Sequence, residues 1–230
     1  MTTLRDSRPV ALLAVDEPAD LLRDLFSLIY THIEQPAVTS GDDLDALLGI
    51  ATRFGVAGAL HILCSTYLRH LAVHEPLRAY GLACKHNLQS EIAWTARETL
   101  RVNLSKADVT HDLASCTPSQ IRNLVQMHTR RGAAAHALVS AARSCDEFAC
   151  PGDHCQGGVA EWWLEVIRQS KAELASRPHS DLVFSPIFLA GCVRGASSLC
   201  VDCPMHFFGA RTQHRLARLK DDIDALSSQV

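Results

Sequence analysis

Residues Asp42 to Leu104 read DDLDALLGIATRFGVAGALHILCSTYLRHLAVHEPLRAYGLACKHNLQSEIAWTARETLRVNL, and the fold of the chain turns on them. Leu44, Leu47, Leu48, Ala51 and Phe54 recur at three- and four-residue spacing, the pattern of an amphipathic helix. Gly55 follows where a left-handed residue would stop that helix. Val56, Leu60, Leu63, Tyr67, Leu68 and Leu71 define a second one. The corner His74-Glu75-Pro76 comes next, and Pro76 suits the first turn of a third helix, where its missing N–H costs nothing. Leu77, Tyr80 and Cys84 give that helix its buried side. Asn87 marks another break, and Leu88, Ile92, Ala96, Thr99 and Leu100 supply a fourth helix. Connections this short require antiparallel or steeply crossed neighbours. No reaction centre is visible in the stretch, which has the character of a scaffold that presents a surface.

Upstream, residues 1–9 are polar, and Val10–Val15 is a short apolar run that fits one buried strand or a helix start. Leu21, Leu22, Leu25, Ile29 and Ile33 then repeat at helical spacing, closed by Pro36. Downstream, Ser105–Ser115 reads as a polar linker. Thr117-Pro118-Ser119-Gln120 is a capping box with proline at the first helical position. The helix it opens carries Ile121, Leu124, Val125 and His128, with Gly132 as a candidate interruption before Ala133–Ala142. Cys145–Gly158 is a loop by composition. Val159, Trp163, Val166, Ile167, Ser170 and Leu174 mark a strong helix, ended by Arg177-Pro178. Of the adjacent pair Trp162-Trp163, only Trp163 is in phase with the apolar face, since neighbouring residues on a helix point about 100° apart. Ser185-Pro186 starts a shorter helix with Leu189 and Val193. A last long helix is expected from Pro204, carrying Phe208, Leu216, Leu219, Ile223 and Leu226.

Composition narrows the class of function. Hydrophobic residues make up 47% of the 230 positions and charged residues 20%, an ordinary globular mix. Aromatics at 6% among abundant Ala and Leu favour helix over sheet. A net charge of −3 is too near neutral for phosphate neutralisation, so no nucleic-acid partner is expected. No run is long and apolar enough to span a bilayer, and Val10–Val15 is too short for a signal peptide, so an intracellular protein, cytoplasmic or nuclear, is the expectation.

The sharpest chemical signal lies in the cysteines. Of the nine, Cys64, Cys84 and Cys116 are scattered, whereas Cys145, Cys150, Cys155, Cys192, Cys200 and Cys203 crowd the last third. Cys150-x4-Cys155 and Cys200-x2-Cys203 are two close pairs from distant loops, the way a structural zinc site is usually assembled from four ligands. Cys145, His154, Cys192 and His206 are spare ligands nearby. Free thiols, or a disulfide within or across the pairs, are the alternatives. His70 and His74 are one helical turn apart but lack a third ligand and read as solvated. His128 and His136 read as structural histidines. The basic group Arg211, His214, Arg215, Arg218 and Lys220, followed by Asp221, Asp222 and Asp224, reads as a solvated helix face of mixed charge. The phosphate-loop, dinucleotide, nucleophile-elbow and zinc-protease motifs are all absent, and no signature singles out a nucleophile. The expectation is therefore a protein without enzymatic activity.

Leu22, Leu25 and Tyr30, followed by LDALLGIATRFGVAGALHILCSTYL, resemble the C-terminal half of a BTB/POZ domain, in which a leucine-rich helix ends in a motif matched here by Ala51-Thr52-Arg53-Phe54. The continuation PLRAYGLACKHNLQSEIAWTARETL, then PSQIRNLVQMHTRRGAAAHAL, resembles the BTB proteins numerous in basidiomycete fungi. Those often carry a WW dipeptide and two cysteine pairs downstream, here Trp162-Trp163 with Cys150, Cys155, Cys200 and Cys203. The resemblance implies a mainly α chain: a partial BTB-like half over residues 1–74 with one short strand, a helical extension over 75–143, and a cysteine-containing helical region over 144–230. It implies a protein-interaction module, an adaptor for a cullin-type ubiquitin ligase or a transcriptional regulator, with a cullin or another BTB chain as partner. A BTB domain normally begins with a β-hairpin and two helices that have no counterpart before Val10. Those elements build much of the homodimer interface, so the resemblance puts homodimerisation in doubt. It also predicts that Leu25, Ile29 and their neighbours lack partners.

Overall fold

The computed structural model describes residues 15–30, 36, 38–107, 109–150, 155, 158–196, 200 and 202–227. Helices dominate, and among the described residues the sole β feature is an isolated antiparallel bridge between Ala149 and Val159. The fold is thus mainly α. The candidate strand Val10–Val15 falls, except for Val15, outside the described residues. The chain divides into two compact units, Met1–Tyr67 and Leu68–Val230.

The first unit packs α1 (Ala19–Ile29), α2 (Gly41–Arg53) and α3 (Ala57–Ile62) against one another. Ser40 caps α2 reciprocally: its hydroxyl accepts from the Asp43 N–H, while the Asp43 carboxylate accepts from the Ser40 N–H. Those hydrogen bonds, with one from the Thr39 hydroxyl, hold the Asp43 carboxyl below its usual range. Gly55 ends the run at φ +64°, the left-handed conformation that glycine adopts without a Cβ penalty. Leu25, Leu28, Leu44, Leu48 and Ala51 fill the interior. Leu25 therefore has partners, contrary to the expectation, whereas Ile29 is 39% exposed beside exposed Phe26 and Tyr30. After α3 the helical ladder loosens into a π-helical segment, Leu63–Leu68, which no periodicity in the sequence announces.

The second unit starts with α4 (Arg69–His74), α5 (Pro76–Lys85) and α6 (Gln89–Glu98). Pro76 opens α5 in its first turn, and Asn87 turns the chain at φ +53°. After a single turn, α7 (Val109–Asp112), the capping box at Thr117 launches α8 (Pro118–Ala141), the spine of the unit. Leu124 and Met127 on its N-terminal half join Leu77, Tyr80, Cys84, Leu100, Leu113 and Cys116 in one core. Ala135 and Val139 on its C-terminal half belong to a second core, shared with α9 (Glu161–Ser176), α10 (Ser180–Val183), α11 (Pro186–Ala196), α12 (Cys203–Phe207) and α13 (Ala210–Asp224).

Gly132 does not interrupt α8. A Cβ there would lie 2.4 Å from the Leu174 carbonyl oxygen of α9, so the glycine marks a close helix contact instead of a break. The neighbouring Arg131 is buried and serves the end of α13: its guanidinium donates to the carbonyls of Leu226 and Ile223, and to Pro178. It thereby satisfies acceptors that a helix C-terminus leaves open. The final helix is also not continuous. Gly209, in an extended conformation, separates α12 from α13 and shifts the phase, so Phe208 emerges 72% exposed and leaves the core that the spacing had assigned it.

Candidate metal centre

Cys150 and Cys155 stand on a loop that the bridge pinches shut. The Cys150 N–H donates to Gly158 O at 2.7 Å, and the Ala160 N–H to Phe148 O at 2.8 Å. Gly158, at φ +74°, turns the chain back into α9. The other pair straddles the turn from α11 to α12. The Cys200 N–H donates to Ala196 O at the end of α11, and Cys203 is the first residue of α12. Two separate helix junctions thus deliver two cysteines each to one place.

All four sulfurs lie within 4.8 Å of one another and all four residues are buried. Cys155 and Cys203 approach to 3.3 Å, and Cys150 and Cys200 to 3.9 Å. A tetrahedron with metal–sulfur bonds of about 2.3 Å has edges of about 3.8 Å, which these separations bracket. A disulfide would need sulfurs about 2 Å apart, and all four cysteines are free. The arrangement can therefore hold a metal ion. Cys145, Cys192 and His206 do not join the cluster, and His154 lies outside the described residues. His70 and His74 remain an exposed pair on α4 with no third ligand among the described residues.

The electrostatics suit a cation. Burial pushes Cys203 up to about 11 and carries Cys155 above the ordinary thiol range. Burial opposes ionisation at Cys200 too, but the backbone N–H groups of Asp202 and Cys203 point at its sulfur and hold it low. The N–H of Glu161, the first residue of α9, donates to Cys203 Sγ at 3.3 Å, which places the positive end of that helix dipole against the cluster. A divalent cation reverses the cost of burial by favouring four thiolates, and its uptake releases their protons.

An aromatic group surrounds this centre that spacing alone did not reveal. Trp162 and Trp163 are both fully buried, although only Trp163 was in phase with the core. The reason is that α9 is packed by α8, α11 and α12 on several sides, so both faces of its first turn are covered. Phe148 stacks on Trp163 with centroids 3.9 Å apart, and Phe207 meets Trp162 edge-on at 5.2 Å. These rings come from the same two junctions as the cysteines. The aromatic residues closely flanking Cys150 and Cys203 were the available signal. No protein-family profile, curated protein or solved structure matches the chain.

Proposed function

We propose that the chain is a non-enzymatic protein-interaction scaffold whose C-terminal helices are locked by one structural zinc ion on Cys150, Cys155, Cys200 and Cys203. The observation that carries this reading is the convergence of four buried sulfurs at tetrahedral separations from two distant helix junctions. Four thiolates in a tetrahedron favour a borderline-soft ion such as zinc over hard cations, and a closed set of four leaves no position for substrate. The ion would tie the loop before α9 to the turn before α12, and its binding energy would become folding energy.

The partner belongs to the same proposal. The BTB-like pattern over Leu22–Leu68 supports an adaptor presenting clients to a cullin-type ligase, or a transcriptional regulator. Among the described residues no helix is long and apolar enough to cross a membrane. Affinity capture with the full zinc-loaded chain, followed by mass spectrometry, tests the adaptor reading. A cullin or a BTB chain is the expected catch. Recovery of neither by well-folded protein would set that reading aside while leaving the zinc site to its own test.

A further inference from the structure

The surface that follows the cysteine centre has a composition suited to one kind of partner. Met205 and Phe208 are 75% and 72% exposed, bulky apolar groups on and just after α12. Directly beyond them, Arg211, His214 and Arg218 fall on one exposed stripe of α13, opposite its buried residues Thr212, Leu216, Leu219 and Ile223. Neither arginine makes an ion pair among the described residues, whereas Lys220 on the same helix pairs with Asp181 at 2.8 Å. The charge order on α13 runs against the helix dipole. Cations occupy the first turns and Asp221, Asp222 and Asp224 the last, the reverse of what stabilises a helix. The N-terminus of α13 also has no side-chain cap. A stripe that costs its own helix stability is poorly explained as a solvated face.

We propose that the exposed segment from Met205 to Arg218, through Met205, Phe208, Arg211 and Arg218 with His214 between the arginines, docks a short acidic segment of a partner protein that carries at least one bulky apolar residue. The proposal rests on the interaction-scaffold reading but not on the identity of the metal. Carboxylates of the partner meet Arg211, Arg218 and the positive end of α13, while its apolar residue covers Met205 and Phe208. Methionine and an aromatic ring provide the adaptable apolar contact such surfaces use. The length of the match is limited. Arg211 to Arg218 spans about 10 Å along the helix, and the same stripe then turns acidic at Asp221 and Asp222. An anionic bilayer or a nucleic acid would run onto those carboxylates; a short peptide stops before them.

The test is selection of a phage-displayed library of random peptides on the zinc-loaded full chain, with the double variant Arg211→Glu/Arg218→Glu as counter-target. Enrichment of acidic sequences containing Leu, Phe or Trp is expected, with about tenfold weaker binding to the variant and to Phe208→Ser, and weakening by salt. Circular dichroism and metal content verify that the variants remain folded. No enrichment, enrichment of non-acidic peptides, or equal binding to the charge-reversed variant overturns the proposal. So does binding to phosphatidylcholine–phosphatidylserine vesicles or to a DNA duplex in place of peptide. A chain that holds zinc yet selects no peptide refutes the docking face alone. A chain that purifies folded without zinc yet selects such peptides refutes the metal alone.

Discussion

His128 is buried on α8 with its Nε2 2.9 Å from the Thr99 hydroxyl, and burial depresses its pKa to about 4. The unfolded chain takes up that proton near pH 6.5, so the unfolded state binds more protons between these values. The contribution is complete above about pH 6.5 and is lost as pH falls towards 4, by at most about 3 kcal/mol. Urea unfolding at several pH values measures it, and His128→Gln should flatten that part of the profile. If the variant lost stability with acid as steeply as the parent, the buried neutral imidazole would not be its source. Gly132 gives a second residue-scale prediction. A methyl at this position collides with the Leu174 carbonyl, which is backbone and cannot rotate away. Gly132→Ala should therefore destabilise the chain by about 2 kcal/mol or more despite alanine's better helix propensity. An unchanged melting temperature would contradict the close α8–α9 approach.

A zinc ion on the cysteine centre would act on helices by joining the loop before α9 to the start of α12. Cys203→Ser removes one ligand sulfur and leaves three buried sulfurs around a weakened site. Hydrogen exchange should then speed up in α12 and α13, with α5 and α6 retaining protection because their core is built from other residues. Uniform loss across the second unit would mean that the centre holds the whole unit and not one layer. At this scale much was legible in the sequence. Gly55, Pro76, Asn87 and the Thr117–Gln120 box end or start helices where their local chemistry requires it. What escaped depended on neighbours distant in sequence. Gly132 looked like a breaker because the approach of α9 is invisible from α8 alone. Phe208 looked apolar and in phase because the break at Gly209 resets the register. Trp162 looked out of phase because one helix cannot reveal how many others pack around it.

Across the molecule, the mainly α class followed from composition and period, and the structure bears it out. The cysteine set was legible as two pairs, but their meeting depends on α11 returning to the N-terminus of α9, which spacing does not encode. With a metal ion bound, that meeting would give the second unit a cross-link inside one of its two cores, in a chain whose aromatic content is low. The central claim is that the cross-link is a zinc ion. Metal analysis by inductively coupled plasma mass spectrometry, on chain purified without added metal or chelator, tests it most directly. About one equivalent of zinc per chain is expected, falling sharply in Cys203→Ser. Folded protein carrying less than about 0.2 equivalents, or zinc retained in full by the variant, would contradict it.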